Sequence, residues 1–302
     1  MVFSKVSGKT YQFFDHTRPN KYDKYFITEA KKSFSVKVDG QNTAVMKNED
    51  GTYNLMVRFE IKKDSHNKDI VFDKTKGVLK TIDECPCWIV PITLHDGKSI
   101  DKETLHYWHC FHLDKENLPF RNHMVGYISL PKISTYKHIQ DVVSRNDEGE
   151  ITHINYATLN CIDRKIHMKA KKIPINEFMM DKEFVTCELM AGDPVCKRKY
   201  ALPENTMTFV IIHGAIPVPE EMCPKELNYE GFTLWFNSGD AKGDEYNCFA
   251  DQEGIVIKQE NKYFKVRHGS CVEKDKFVGN EKKWNSKNGC GIVFDVSEIL
   301  KQ

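Results

Sequence analysis

The chain has no long hydrophobic run. None of its stretches approaches the roughly eighteen consecutive apolar side chains that a helical membrane span needs, so a membrane partner is not expected. The opening Met1-Val2-Phe3-Ser4-Lys5 lacks the apolar core of a secretory leader, and an intracellular, reducing setting is expected. An excess of charge is missing too: 44 basic residues nearly cancel 43 acidic ones, which argues against a uniformly basic nucleic-acid coat but not against a local basic groove. There is no internal repeat and no low-complexity tract, which excludes a solenoid or a linker-rich chain. A Gly-x-Ser-x-Gly elbow is absent, as is a Gly-rich phosphate loop, so neither a serine hydrolase nor a P-loop enzyme is indicated. The ten cysteines are scattered rather than spaced as a framework, and they read as buried thiols. Tryptophan is sparse. Trp88, Trp108, Trp235 and Trp284 read as core rather than as platforms for bases.

What is present is an ordinary globular composition, 40% hydrophobic and 29% charged, in a chain long enough for one large domain. Alternating apolar residues predict strands over 33–38, 43–46 and 53–61, with Asn48-Glu49-Asp50-Gly51 as the hairpin turn between the last two. Further strands are expected over 124–130, 184–190, 207–212, 254–258 and 263–266, and a helix over much of 219–235, interrupted near Pro224. The lysine-rich stretch 62–80 reads as a mobile loop or solvated helix. The class is α+β with mostly antiparallel sheets.

The chemistry-bearing segment is Lys37-Val38-Asp39-Gly40-Gln41-Asn42, at the end of one strand and the start of the next. A lysine amine becomes a nucleophile where partial desolvation or neighbouring cations favour its uncharged form. Gly40 would let the backbone turn tightly and approach a nucleotide. Alone, Lys-x-Asp-Gly is weak, since roughly one chain in ten of this size carries it by chance, and a solvated turn after an edge strand is the commoner explanation. Other segments strengthen it. Glu253-Gly254-Ile255-Val256 opens a strand with a carboxylate, and Lys265-Val266-Arg267 places two cations on one face of the next. A carboxylate on one arm of that hairpin and cations on the other suit a metal ion together with a phosphate. Glu188 lies within an otherwise apolar strand, where an unpaired acid would be costly, so a hydrogen-bonding role is expected.

In this order, Lys37-x-Asp39-Gly40, Glu188, Glu253-Gly254-Ile255-Val256 and Lys265-x-Arg267 resemble the motifs of the covalent lysine nucleotidyltransferases: RNA ligases, DNA ligases and capping guanylyltransferases. Cys87-Trp88-Ile89, Ile212-His213-Gly214-Ala215 and Phe264-Lys265-Val266 bring the chain close to the vertebrate-type ATP-dependent 5′–3′ RNA ligase family. The resemblance runs from about residue 34 to 268 and thins over 64–84 and 133–178. It implies an ATP-grasp-like ligase adenylation domain filling 1–302, with variable insertions at 62–84 and 133–178 and a C-terminal tail at 272–302. In that scheme Lys37 takes AMP from ATP. Val36, Asp39, Gly40, Asn42, Arg58, Glu188, His213, Lys265 and Arg267 line the nucleotide site. Arg58 would contact ribose or phosphates, and Glu188 the ribose hydroxyls. Lys265 and Arg267 would grip the α-phosphate and favour the neutral Lys37 amine, and His213 or Phe209 would lie against adenine. Glu253 would help hold magnesium, for which manganese could substitute. The implied partner is RNA with 5′-phosphate and 3′-hydroxyl ends, bound by a monomer.

Capping enzymes and most DNA ligases carry a five-stranded OB domain after the last motif, and too few residues follow Arg267 for one. A minimal DNA ligase, or an inactive nucleic-acid-binding relative, are the alternatives. Cys85, Cys87, His106 and His109 could form a zinc set, but their spacing is not a standard frame, and the aromatics at 107–111 suit a strand with its histidines on the polar side. Lys169-Ala170-Lys171-Lys172 could touch a nucleic-acid backbone, although such a run is more often a solvated face.

Overall fold

A computed structural model describes residues 2–6, 9–13, 32–62, 70–72, 77–83, 85–95, 100–108, 123–130, 139–162, 165–227, 229–239, 241, 243–259, 262–267 and 291–301. The strands are β1 (Val2–Val6), β2 (Lys9–Phe13), β3 (Lys32–Lys37), β4 (Gln41–Lys47), β5 (Tyr53–Lys62), β6 (Ile70–Phe72), β7 (Val78–Ile82), β8 (Cys85–His95) and β9 (Ile100–Trp108). They continue as β10 (His123–Ser129), β11 (Val143–Arg145), β12 (Ile151–Ile162), β13 (Lys165–Pro174), β14 (Phe184–Met190), β15 (Phe209–Ile212), β16 (Gly254–Gln259), β17 (Lys262–Arg267) and β18 (Ile292–Asp295). The α-helices are short: α1 (Ile175–Met179), α2 (Pro194–Lys199) and α3 (Tyr229–Ser238). The protein is α+β with strands predominating. Among the described residues, no helix is long and apolar enough to cross a membrane.

Thirteen strands form one open sheet whose main path runs β18-β13-β12-β15-β14-β4-β5-β10-β9-β8-β6, and β17-β16-β3 form a second, three-stranded sheet. Pairing is antiparallel except for β12 with β15 and β13 with β18. The small sheet shows directly how alternation positions a site. Lys37 pairs with Gly254, which pairs with Arg267, and Ser35, Val256 and Lys265 make the next row on the same face. The opposite face carries Val36, Ile255, Ile257 and Val266, all buried in one core with Phe232 and Trp235 of α3. Burying each of these aliphatic side chains contributes about 1.5–3 kcal/mol, so the apolar face holds the sheet down and leaves the charged face to the site.

The expected hairpin at 48–51 is present: the Asn48 amide donates to the Thr52 carbonyl at 2.8 Å, and Gly51 takes the left-handed φ of 86° that a glycine tolerates. Several expectations are corrected. The 62–80 stretch is neither loop nor helix throughout, because β6 and β7 both pair with β8 and this long-range ladder outweighs the lysine-rich composition. The 133–178 segment, expected as an insertion, supplies β12 and β13, whose Ile154, Ala157, Ile166 and Met168 are fully buried or nearly so. The helix expected over much of 219–235 is interrupted near Pro224, as expected, because proline supplies no amide for a continuous ladder; what remains before it is a 3-10 turn at Glu220–Met222, and α3 follows. The region at 272–302 includes β18 at an edge of the large sheet, and Ile292, Val296 and Ile299 are core residues.

Candidate functional site

Lys37 ends β3, and its ammonium is ion-paired with Glu253, the residue just before β16. Gly254 matters because it separates two side chains. It lies between Lys37 and Arg267 in the sheet row, so no side chain fills the space between amine and guanidinium. A Cβ there would also come within 2.3 Å of the Val266 carbonyl. Arg267 reaches Glu253 as well, Nε to Oε1 at 3.6 Å, so one carboxylate is shared by two cations. Lys265, one row along, is exposed, yet partial desolvation followed by repulsion from Lys37 and Arg267 lowers its pKa from the usual lysine value. Glu188 of the large sheet accepts the Gly40 amide at 2.9 Å, three residues beyond Lys37, and its charge and that of Arg58 are felt at Lys265.

The large sheet contributes a row of polar side chains. Glu188 on β14 pairs with Asn42 on β4, while Tyr127 on β10 pairs with Arg58 on β5 and with His106 on β9. Extending the β4–β5 register one residue past the Thr43–Val57 pair sets Arg58 beside Asn42. Antiparallel partners share a face, so these groups form one line across four strands and onto a fifth. Glu188 is held on both oxygens: Oε1 accepts from the Gly40 amide at 2.9 Å, and Oε2 lies 3.0 Å from His213 Nε2. The Tyr127 hydroxyl donates to Asn42 Oδ1, and burial raises its phenol well above the usual tyrosine range.

The connection from β3 to β4 is fixed from several sides. The Asp39 amide donates to the Tyr200 hydroxyl at 2.8 Å, and the Asp39 carboxylate is ion-paired with Lys199. Gly40 is required by the packing itself: a Cβ at this position would meet the Leu189 carbonyl of β14 at 2.4 Å. Val36 faces the core, with its amide donating to the Ile216 carbonyl at 2.9 Å, so it supports Lys37 from behind.

The structure therefore brings together Lys37, Glu253, Lys265 and Arg267 on one side and Arg58, Asn42, Glu188 and His213 on the other. Phe209 does not join them. It is fully buried against Phe294, ring centroids 5.5 Å apart, and cannot stack on a ligand. His106 lies at the end of the polar row but is buried rather than solvated, and burial lowers its pKa. Of the other candidate zinc ligands Cys87 is buried, while His109 lies outside the described residues. No cluster of three or more His, Cys, Asp or Glu ligands occurs among the described residues. Cys87, Cys187, Cys196, Cys223 and Cys248 are free thiols, and burial raises Cys196 to about 11. Trp235 is core and Trp88 half-buried, whereas Trp284 is outside the described residues. Lys169 and Lys172 are exposed, and Lys169 bonds Glu298 at 2.6 Å.

Three residues of the site went unnoticed in the sequence: Lys199, Tyr200 and Tyr127. The helix that ends at Lys199 is legible from Asp193-Pro194, where Asp193 Oδ1 caps the Val195 and Cys196 amides at 2.7 and 2.9 Å. Nothing local indicates that its last residue reaches position 39.

The arrangement fits a polyphosphate. Lys37, Arg58, Lys199, Lys265 and Arg267 outnumber Asp39, Glu188 and Glu253, leaving local positive charge on a partly dry surface. A lone carboxylate such as Glu253 also suits magnesium carried in with a nucleotide, because magnesium takes one or two protein carboxylates and completes its shell with water and phosphate oxygens. No family model matches the chain, and no curated protein matches it.

Proposed function

We propose that the protein is an ATP-dependent RNA ligase acting through lysyl-AMP, with its two sheets forming an ATP-grasp-like ligase adenylation domain. The observation that carries this reading is the placement of Lys37: a half-buried amine at a strand end, held by Glu253 and flanked on the same sheet face by Lys265 and Arg267.

The reaction has three displacements at phosphorus. The Lys37 ammonium loses a proton to solvent, and the resulting amine forms a P–N bond to the α-phosphorus of ATP as the P–O bond to pyrophosphate breaks. A 5′-phosphate oxygen of the RNA then displaces the lysine and takes AMP. A 3′-hydroxyl finally attacks that 5′-phosphorus and expels AMP. Each step needs in-line alignment and neutralisation of the transferring oxygens, which Lys265 and Arg267 supply as fixed cations. Magnesium bound at Glu253 would withdraw charge from the same oxygens. Glu188, fixed by Gly40 and His213, and Asn42, fixed by Tyr127, offer hydrogen-bonding positions for the nucleoside. Assignment to ATP and to RNA rests on the motif resemblance.

The test is incubation with α-labelled ATP and magnesium, followed by denaturation. Label should stay on the wild-type protein and vanish in Lys37→Ala. A wild-type protein that takes up none defeats the proposal. GTP in place of ATP, and nicked DNA beside broken RNA, then test the nucleotide and the polymer.

A further inference from the structure

Beyond Lys37 itself, the three residues that follow it are restrained more heavily than a connection between two strands requires. The β3–β16 ladder ends at the Lys37–Gly254 pair, and β4 begins at Gln41. In between, Val38 is buried in the core. The Asp39 amide is taken by the Tyr200 hydroxyl at 2.8 Å, the Asp39 carboxylate by Lys199, and the Gly40 amide by Glu188 at 2.9 Å. Tyr200 is itself fixed. It is 2% exposed, its amide donates to the Cys196 carbonyl at 3.1 Å at the end of α2, and its ring stands edge-on to Phe294 with centroids 5.7 Å apart. Phe294 belongs to β18, so the C-terminal strand braces the tyrosine that holds the loop.

We infer that Tyr200 and Lys199 are positioning residues for Lys37, clamping the Val38–Gly40 loop so that the amine is held in line with an incoming phosphorus. The inference rests on the reading of Lys37 as nucleophile. Its physical basis is that in-line displacement is sensitive to placement on the ångström scale, and a misplacement of about 1 Å can cost on the order of a hundredfold in rate. A strand end with unpaired following residues would otherwise fray, since its amides would exchange water for protein freely. Tyr200 and Lys199 touch no reacting atom in this scheme, so their effect should appear in the rate of chemistry rather than in nucleotide affinity.

The experiment uses the full chain and two readouts. Single-turnover formation of lysyl-AMP is followed against ATP concentration for wild type, Tyr200→Phe, Lys199→Ala and Lys199→Arg. Tyr200→Phe keeps the buried ring and removes only the hydroxyl. It should slow adenylation at saturating ATP by about tenfold or more while the half-saturating ATP concentration stays within about twofold. Lys199→Ala should behave alike, and Lys199→Arg should recover most of the rate. In parallel, amide hydrogen exchange should quicken at Asp39 in Tyr200→Phe while the β3–β16 ladder stays protected. A Tyr200→Phe protein that adenylates at the wild-type rate, or whose loss only tracks its folded fraction, overturns the clamp. So does unchanged exchange at Asp39. Absence of label on wild type would instead defeat the reading of Lys37, and exchange would still decide whether Tyr200 holds the loop.

Discussion

The two sheets meet at the site with opposite characters. On the large sheet, Glu188, Asn42 and Tyr127 have their hydrogen bonds satisfied within the protein, through the Gly40 amide, His213 and one another. On the small sheet, Lys37, Lys265 and Arg267 share one face with Glu253 as the carboxylate bonded to Lys37 and Arg267, and their mutual repulsion registers at Lys265. The contrast teaches where a ligand is wanted. Groups already held by hydrogen bonds gain less from an added hydroxyl than crowded cations gain from an anion. The large sheet is thus the more finished floor, and the small one is the surface where we propose that phosphate binds.

Breaking this asymmetry should be most severe at its shared carboxylate. Glu253→Gln leaves Lys37 and Arg267 without their partner and is expected to slow lysyl-AMP formation by about 10²–10³-fold, read by single-turnover labelling. Next comes the spacing between the cations. Gly254→Ala drives a Cβ into the Val266 carbonyl and should destabilise the fold by roughly 2–3 kcal/mol, seen as a lower urea midpoint. On the finished floor the effect should be smaller. Tyr127→Phe removes the bond to Asn42 and should cost about 1 kcal/mol in the same unfolding measurement, with little change in pyrophosphate affinity.

The smallest effect sharpens the comparison most. Lys265 has a folded-state pKa below its ordinary 10.5, so between the two values the unfolded chain binds the extra proton and stability rises with pH. The penalty is fully present below the folded pKa and disappears as pH climbs toward 10.5. Lys265→Met should therefore raise the stability of the ligand-free protein at neutral pH by a few tenths of 1 kcal/mol after solvent screening, and abolish that share of the alkaline gain. The same variant should bind pyrophosphate more weakly. A variant that loses stability at neutral pH would show that the cations are not in conflict.

Local pattern carried a good part of this. The alternation in Ser33–Val38 and Gly254–Lys258 shows from sequence alone that Lys37 lies on the face away from Val36 and Ile255, because a strand turns successive side chains to opposite sides. The hairpin turn at 48–51 was legible from turn chemistry, and the pairing of β16 with β17 from the apolar runs that form them. The strands β8, β12, β13 and the first part of β9 were not. Their lysines and histidines dilute the pattern, and their strand character comes from partners found only on folding. His106 shows the same failure at a single side chain: its polarity suggested a wet face, and the β10 pairing buries it.

Residue type and order alone determined which groups could do phosphoryl chemistry, and which face of each strand would present them. Tertiary structure decided which of those groups meet. Lys37 and Glu253 are 216 positions apart, and Asp39 and Lys199 are 160 apart. Phe209 was withdrawn into the core while Tyr200 was brought to the loop. The physical reason is that periodicity is a property of neighbours along the chain, whereas a charged cluster is assembled by burial of the apolar faces behind it. Those faces can choose their partners only when the whole core closes.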